Sequence, residues 1–320
     1  MDHTSATHVL EFDDKVFWFE LSPFEWSQNL LCIAFTNKIT VGKLRFQEDE
    51  EEMEEKLEYV TIKEYHHTIR THALAWSPET CLDVLPKCLI FASADSDFKV
   101  SVFSSDLDSN HSTEVLEGHR DYINCITFDT EGRLLFSGSD DNTMKMWDVK
   151  ETFSCIGSLN FNSQVMSVTC HRDCPENVLV GLARDVVHLV SIQLRRSLMS
   201  FPTNSSPLQM VDWAPSNSKS IAALSGGELV VWDISKTSWP SESRGYTVYG
   251  QYLKYCPSSE NHIAVYGRPD HQVKVYIIQS NKPLLSVTLE SSSWISWHFR
   301  LPYICAASDR KLCFWKVSTK

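Results

Sequence analysis

Two markers recur along this chain with nearly constant spacing. The first is the end of a short apolar strand, marked by Leu21-Ser22-Pro23, Trp76-Ser77-Pro78, Phe128-Asp129, Cys170-His171, Trp213-Ala214-Pro215, Tyr255-Cys256-Pro257 and Trp297-His298. From Trp76 onward the steps between these markers are 52, 42, 43, 42 and 42 residues. The second marker is an aromatic residue late in five of the units, at Phe103, Trp147, Trp232, Tyr276 and Trp315. The unit between Trp147 and Trp232 has Val190-Ser191-Ile192 at this position instead. A period of roughly 40–45 residues is typical of propeller blades, so the two markers together predict seven blades.

The most regular unit lies at residues 117–148 and resembles a WD repeat. After a Gly118-His119 turn, it contains three segments with strand patterns: Tyr122–Phe128, Leu134–Gly138 and Met144–Asp148. In such repeats a His, a Ser, an Asp and a Trp form a hydrogen-bonded structural tetrad, in which the Asp orients the His. The residues that match this tetrad are His119, Ser137, Asp141 and Trp147.

Each unit also requires an outer fourth strand. The candidates are Glu58–Glu64, Thr113–Leu116, Phe153–Leu159, Leu198–Phe201, Tyr246–Tyr249 and Leu284–Leu289. The seventh unit has no candidate after Trp315, whereas the segment Thr7–Phe12 precedes the first unit without any other partner. We therefore predict an all-β fold over residues 1–320, a single seven-bladed WD-repeat β-propeller whose ring is closed by the N-terminal strand.

Composition and charge restrict the classes of partner. The chain contains 29 Lys and Arg residues and 41 Asp and Glu residues, which gives a formal net charge of −12. That charge repels phosphate, and the only notable basic doublet is Arg195-Arg196, so we expect no direct nucleic-acid binding. We also expect no membrane insertion and no signal peptide, because no apolar run is long enough. The ten cysteines are expected to be reduced thiols in the cytosol or nucleus.

Two irregular segments are candidates for binding. Gln47–Glu58 is an acidic insert in the first blade, either a solvated connection or a docking tail for a basic partner. The polar segment 235–249 carries three aromatic residues that we consider as partner contacts: Trp239, Tyr246 and Tyr249. The alternative for Trp239 is that it covers the propeller rim.

The segment Cys170-His171-Arg172-Asp173-Cys174 is the strongest candidate for chemistry. It contains the tripeptide of a kinase catalytic loop, but a Gly-rich phosphate loop and an Asp-Phe-Gly sequence are both missing. Two cysteines at this spacing, without a second pair, also fall short of a structural zinc site. We therefore predict no catalytic residues, no cofactor and no metal, and expect that the protein is not an enzyme.

Five segments, in their order and spacing, point beyond a generic WD-repeat protein: HHTIRTHALAWSPET (66–80), FSSDLDSNHSTEVLEGHRDYIN (103–124), SGSDDNTMKMW (137–147), LVVWDISKTSWP (229–240) and SWISWHFRLPYICAASDRKLCFW (293–315). With these segments the chain resembles the small WD-repeat nucleoporins of the Y-shaped outer-ring complex of the nuclear pore. The resemblance implies a structural scaffold subunit at the nuclear envelope, supporting pore assembly and transport of protein and mRNA. It also implies a chief partner, the large short-arm nucleoporin built from a propeller and a helical solenoid. The subunit would be monomeric within that hetero-oligomer and, in animals, would attach to kinetochores in mitosis.

Two other binding roles remain open at this stage. One is a generic adaptor, such as a substrate receptor of a ubiquitin ligase, but receptors of that kind tend to end a blade in Trp-Asp-x-Arg. The corresponding segments here are Trp147-Asp148-Val149-Lys150 and Trp232-Asp233-Ile234-Ser235, both without the arginine. The other is a reader of histones or peptides that uses the central pore.

Overall fold

The computed structural model describes residues 5–48, 56–108, 110–236, 239–245, 250–268, 271–278, 280, 282–290 and 294–317. Within these ranges the only helical element is one 3₁₀ turn, Glu25–Ser27, and no helix is long and apolar enough to cross a membrane. The strands, in chain order, are β1 (His8–Glu11), β2 (Trp18–Leu21), β3 (Leu30–Ala34), β4 (Lys38–Phe46), β5 (Leu57–His66), β6 (Thr71–Trp76), β7 (Leu89–Asp95), β8 (Val100–Ser105), β9 (His111–Leu116), β10 (Ile123–Phe128), β11 (Leu134–Ser139), β12 (Thr143–Asp148), β13 (Ser154–Asn160), β14 (Val165–Cys170), β15 (Asn177–Leu182), β16 (Val186–Ser191), β17 (Arg196–Pro202), β18 (Leu208–Trp213), β19 (Ser220–Ser225), β20 (Glu228–Asp233), β21 (Glu242–Gly245), β22 (Gly250–Tyr255), β23 (His262–Gly267), β24 (Gln272–Ile277), β25 (Pro283–Thr288), β26 (Ile295–Trp297), β27 (Tyr303–Ser308) and β28 (Lys311–Lys316).

These strands form seven four-stranded antiparallel sheets. Blades 1 to 6 are β2–β5, β6–β9, β10–β13, β14–β17, β18–β21 and β22–β25, each paired in sequence order. Blade 7 has the order β1-β28-β27-β26. The first strand of every blade contacts the first strand of the next, and β26 returns to contact β2. The predicted seven-bladed propeller is therefore confirmed.

The ring is closed by the N-terminal strand, as predicted. β1 pairs antiparallel with β28, with His8 opposite Phe314 and Glu11 opposite Lys311. The His8 ring Nε2 lies 3.1 Å from the Tyr303 hydroxyl, so the closing strand also contacts the second strand of its blade. Without β1, the backbone edge of β28 would be unpaired and open to other chains.

One outer strand differs from its predicted position. In blade 5 we expected Tyr246–Tyr249, but the strand that pairs with β20 is Glu242–Gly245, and residues 246–249 lie outside the described residues. The Ser241 amide already donates to the Val231 carbonyl at 2.8 Å, so the register is set before the aromatic pattern begins. In blade 1, Gln47 and Glu48 lie in a turn after β4, and residues 49–55 of the acidic insert also lie outside the described residues.

The core lies between the blades. Alternate residues of each strand point to opposite faces of its sheet, and the apolar faces of neighbouring blades pack together. Between blades 3 and 4, for example, Phe136 packs against Val165 and Val180, all fully buried. Gly138 is required at this interface, because a Cβ there would lie 2.4 Å from Val165 Cγ1 and 2.7 Å from Cys125 Sγ.

Candidate protein-interaction surface

The four residues of the WD-repeat tetrad meet in blade 3. His119 Nδ1 lies 2.8 Å from Asp141 Oδ2, and its Nε2 lies 2.7 Å from Ser137 Oγ. Trp147 Nε1 donates to the same Ser137 oxygen at 2.8 Å. Because the Asp141 carboxylate accepts only, Nδ1 carries the imidazole proton and Nε2 accepts from the Ser137 hydroxyl. The chain of bonds runs from the turn after β11, through the sheet, to the third strand.

The electrostatics of this network favour a neutral histidine beside an ionised aspartate. Burial lowers the pKa of His119 more than the neighbouring Asp141 raises it. Burial by itself raises the pKa of Asp141, but hydrogen bonds from Thr143 and His119 outweigh it and lower that pKa to about 2. All the donors and acceptors are used within the blade, so the tetrad stabilises the blade and offers no group for acid–base work.

Blade 2 contains a related network with a different arrangement. His67 Nε2 lies 2.9 Å from Asp95 Oδ1, and the Ser93 hydroxyl donates to the same carboxylate at 3.0 Å. The hydroxyl of Ser101 donates to the other Asp95 oxygen at 3.0 Å. The Thr71 hydroxyl of β6 also donates to Asp95 Oδ1, at 3.3 Å. Asp95 ends β7 and is buried, so this carboxylate accepts from β6, β7 and β8 as well as from His67.

The segment between Cys170 and Cys174 is a turn that ties two blades together. The Nδ1 atom of His171 accepts from the Asp173 amide at 3.0 Å, and its Nε2 donates to the Ala214 carbonyl of blade 5 at 2.9 Å. Both ring nitrogens are therefore occupied by backbone groups. Burial raises the pKa of the Cys170 and Cys174 thiols, which disfavours the thiolate form. Within the described part of the chain, no group of three or more His, Cys, Asp or Glu side chains is arranged to hold a metal ion.

A half-buried carboxylate on the innermost strands was missed by the sequence analysis. Glu20 on β2 accepts from Trp294 Nε1 at 2.5 Å, and its other oxygen lies 3.4 Å from the Ser296 hydroxyl. Burial raises the pKa of Glu20 to about 7, against the opposing effect of Lys254. Next to the Glu20 carboxylate, the rings of Trp18 and Trp294 pack together with their centroids 4.3 Å apart. The one signal in the sequence is an acidic residue inside the otherwise apolar strand WFEL, which does not identify its neighbours.

The predicted partner contacts are only partly described. Trp239 lies in the loop between β20 and β21, and 66% of it is exposed, more than most large hydrophobic residues of this chain. Tyr246 and Tyr249 lie outside the described residues. The geometry therefore places one large aromatic surface in solvent on blade 5, at the kind of position where partner anchors occur.

Comparison with known proteins adds the family. Residues 110–148 match the family described as WD domain, G-beta repeat. Nucleoporin Nup37 of Mus musculus is 32% identical over 320 residues, which is 97% of this chain and 97% of that protein. The chain belongs to the Nup37 family. Nucleoporin Nup37 of Drosophila melanogaster is likewise 32% identical over 317 residues, 98% of each chain.

Membership of the Nup37 family makes this chain a nucleoporin of the nuclear pore complex. The match to a ubiquitin-ligase subunit, which would support the alternative function, covers a much shorter part of the chain. A probable E3 ubiquitin ligase complex SCF subunit sconB of Arthroderma otae is 47% identical over only 45 residues, 14% of this chain and 6% of that protein. That likeness is confined to about one repeat, whereas the likeness to Nup37 spans the ring.

Proposed function

We propose that this chain is a non-catalytic scaffold subunit that docks on a larger subunit of the nuclear pore complex. Its chief partner is the large nucleoporin of the short arm of the Y-shaped complex, built from a propeller and a helical solenoid. In this role the subunit supports pore assembly and nucleocytoplasmic transport, and we expect it to follow the complex to kinetochores in mitosis.

The observation that carries the proposal is the match to Nup37 over 97% of both chains. The physics of the fold supports it. All seven sheets pair within one closed ring, so the molecule is a rigid disc that loses little conformational entropy on binding. The histidines of the two networks are both hydrogen-bonded to a carboxylate of their own blade, as a structural subunit requires.

Affinity purification of the tagged chain from its own cells, followed by quantitative mass spectrometry, tests this function. We expect the subunits of the Y-shaped complex to co-elute in near-equal amounts with the bait. Recovery of ubiquitin-ligase subunits or chromatin proteins in their place would refute the scaffold role and leave only a binding propeller.

The candidate contact Trp239 is tested in the same assay. Trp239→Ala removes a large exposed ring and should lower the recovery of the partner if Trp239 is an anchor. Trp26→Ala is the control, because Trp26 is 49% exposed in the 3₁₀ turn of blade 1. Trp26 Nε1 donates to the Pro78 carbonyl of blade 2 at 3.0 Å, so thermal melting checks that this variant is folded. Equal recovery with both variants would assign Trp239 to the propeller rim.

A further inference from the structure

Four outer strands share a bulge at the same position of the repeat. Opposite the fourth and fifth residues of the third strand, each of these outer strands holds one extra residue. The residue pairs of the third strands are Val41/Gly42, Met146/Trp147, Leu189/Val190 and Val275/Tyr276. The extra residue is aliphatic in every case: Ile62, Ile156, Leu198 and Leu284. A bulge that recurs in register with the repeat is a built feature, which aims this side chain in a set direction.

The four aliphatic residues have two different surroundings. Ile62 of blade 1 packs against the core between blades 1 and 2, and Leu284 of blade 6 packs against the core between blades 6 and 7. Ile156 of blade 3 and Leu198 of blade 4 lie in neither kind of core and are 39% and 45% exposed. In blades 3 and 4 the side chain at this position is therefore exposed to solvent, whereas in blades 1 and 6 it is partly buried against a core.

These two residues belong to one continuous surface. Leu194 lies in the turn before β17 and is 58% exposed, and Met199 follows Leu198 in that strand and is 38% exposed. The Arg195 guanidinium reaches from blade 4 across to blade 3, where its carbon lies 3.5 Å from the position of a Cβ on Gly157, next to Ile156. We define the blade 3–4 rim as Ile156, Leu194, Arg195, Arg196, Leu198 and Met199.

The charge of the blade 3–4 rim is opposite to that of the whole chain. No carboxylate within the described ranges forms an ion pair with Arg195 or Arg196, while the chain as a whole carries −12. An acidic partner would be repelled by most of this disc and attracted here. Complementary charge around an apolar centre selects the partner and its orientation.

The form of the rim favours a helix over an added strand. Strand addition needs an uninterrupted row of backbone donors and acceptors, and the bulges at Ile156 and Leu198 interrupt that row on both blades. The apolar side chains stand out from the edge instead, spaced over two blades, where the apolar stripe of a helix can cover them.

We propose that the blade 3–4 rim is the docking surface for an amphipathic helix of the partner nucleoporin, with an apolar stripe flanked by Asp or Glu. This inference rests on the proposed scaffold function. It names the surface and the chemistry of the segment that binds it: Ile156 and Leu198 contact the apolar stripe, and Arg195 and Arg196 pair with its carboxylates.

The first test is affinity purification of two double variants of the full chain. One carries Ile156→Glu and Leu198→Glu, and the other carries Arg195→Glu and Arg196→Glu. Recovery of the partner nucleoporin per bait should fall about 30-fold or more for the aliphatic pair, the size of loss typical of an interface hot spot. Val115→Glu is the matched control, since Val115 is 50% exposed on the outer strand of blade 2. Thermal melting of each purified variant checks that the ring is folded.

The second test does not depend on loss of binding. A photo-crosslinking amino acid replaces Leu198, or Val115 as control, and the cross-linked peptide is identified by mass spectrometry. A peptide with apolar residues at helical spacing and adjacent carboxylates, captured at 198 and not at 115, supports the proposal. A basic or extended peptide at 198, equal capture at 115, or full recovery with the variants overturns the docking surface alone. If the wild-type chain recovers no nucleoporin, the scaffold function fails and the surface fails with it.

Discussion

Deletion of Met1–Asp14 removes the closing strand and should destabilise the whole ring. The deletion abolishes the four residue pairs between β1 and β28, together with the bond from the Phe12 amide to the Arg310 carbonyl at 2.9 Å. It also removes the Phe12 ring, which packs edge-on against the rings of Phe35 and Tyr59. The distances between ring centroids are 5.4 Å to Phe35 and 5.6 Å to Tyr59.

The magnitude follows from these contacts. Backbone hydrogen bonds contribute about 1 kcal/mol each in net terms, and a half-buried aromatic ring adds about 2 kcal/mol. The expected loss in the free energy of unfolding is therefore on the order of 5 kcal/mol, which lowers the melting temperature by on the order of 10 °C. The exposed edge of β28 should also make the truncated chain prone to aggregation.

Differential scanning fluorimetry of three proteins measures this effect: the full chain, the deletion of Met1–Asp14, and a control deletion of Met1–Ser5 that leaves β1 intact. The control should melt within about 2 °C of the full chain, since surface changes away from special features cost little. A synthetic peptide of residues 1–14 should restore part of the lost melting temperature. If the longer deletion melts at the same temperature as the control, β1 does not stabilise the ring and the reasoning is refuted.

Three further substitutions test side chains inside the ring. Ser137→Ala leaves the nitrogens of His119 and Trp147 without their shared partner, so urea unfolding should show a loss of about 2–3 kcal/mol, against almost none for the exposed Ser112→Ala. Burial lowers the pKa of His298 to about 4 from 6.5, so its contribution to stability is complete above pH 6.5 and is lost as pH falls. The loss between pH 7.5 and 5.5 is about 1 kcal/mol, and it should disappear from the pH profile of His298→Gln. The effect of Glu20 on stability has the opposite pH dependence. Its pKa in the folded protein is about 7, above the usual value of 4.5, so the free energy of unfolding falls as pH rises from 4.5 to 7. Glu20→Gln should therefore raise the free energy of unfolding at pH 8 by on the order of 2 kcal/mol, and an unchanged or lower value would contradict this account of Glu20.

The architecture was predictable because the repeat fixes it locally. In blade 3 the tetrad residues, the turn and the strand lengths follow one spacing, so His119 and Trp147 could be assigned to one network from sequence alone. The closing strand was predictable for a different reason, since a seventh blade with three strands needs a fourth, and Thr7–Phe12 had no other partner.

What could not be predicted depends on partners that are distant in sequence. The aromatic and β-branched residues of Tyr246–Tyr249 have high strand propensity, yet pairing with β20 is set by register and starts earlier, at Glu242. Glu20 gives no sign that Trp294, on the opposite end of the chain, donates to it. The blade 3–4 rim is likewise invisible in the sequence, because Ile62 and Ile156 have the same chemistry and differ only in what covers them.

Among the residues that the structure describes, blade 3 alone forms the complete tetrad, so much of the cohesion of this ring must come from contacts between blades. Some of the residues that mark the repeat supply it: Trp76 Nε1 donates to the Glu20 carbonyl of blade 1 at 3.0 Å, and Trp297 Nε1 donates to the Lys254 carbonyl of blade 6 at 3.1 Å. His171 reaches blade 5 in the same way, and His298 lies 2.8 Å from Asn29 Oδ1 of blade 1. Because these hydrogen bonds join neighbouring blades, the unfolding of one blade leaves polar groups on its neighbours without a partner. Unpaired polar groups in a buried position raise the free energy of the partly unfolded state. We therefore expect the ring to unfold as one cooperative unit, and a disc that responds as one body is suited to hold a fixed docking surface against a much larger partner.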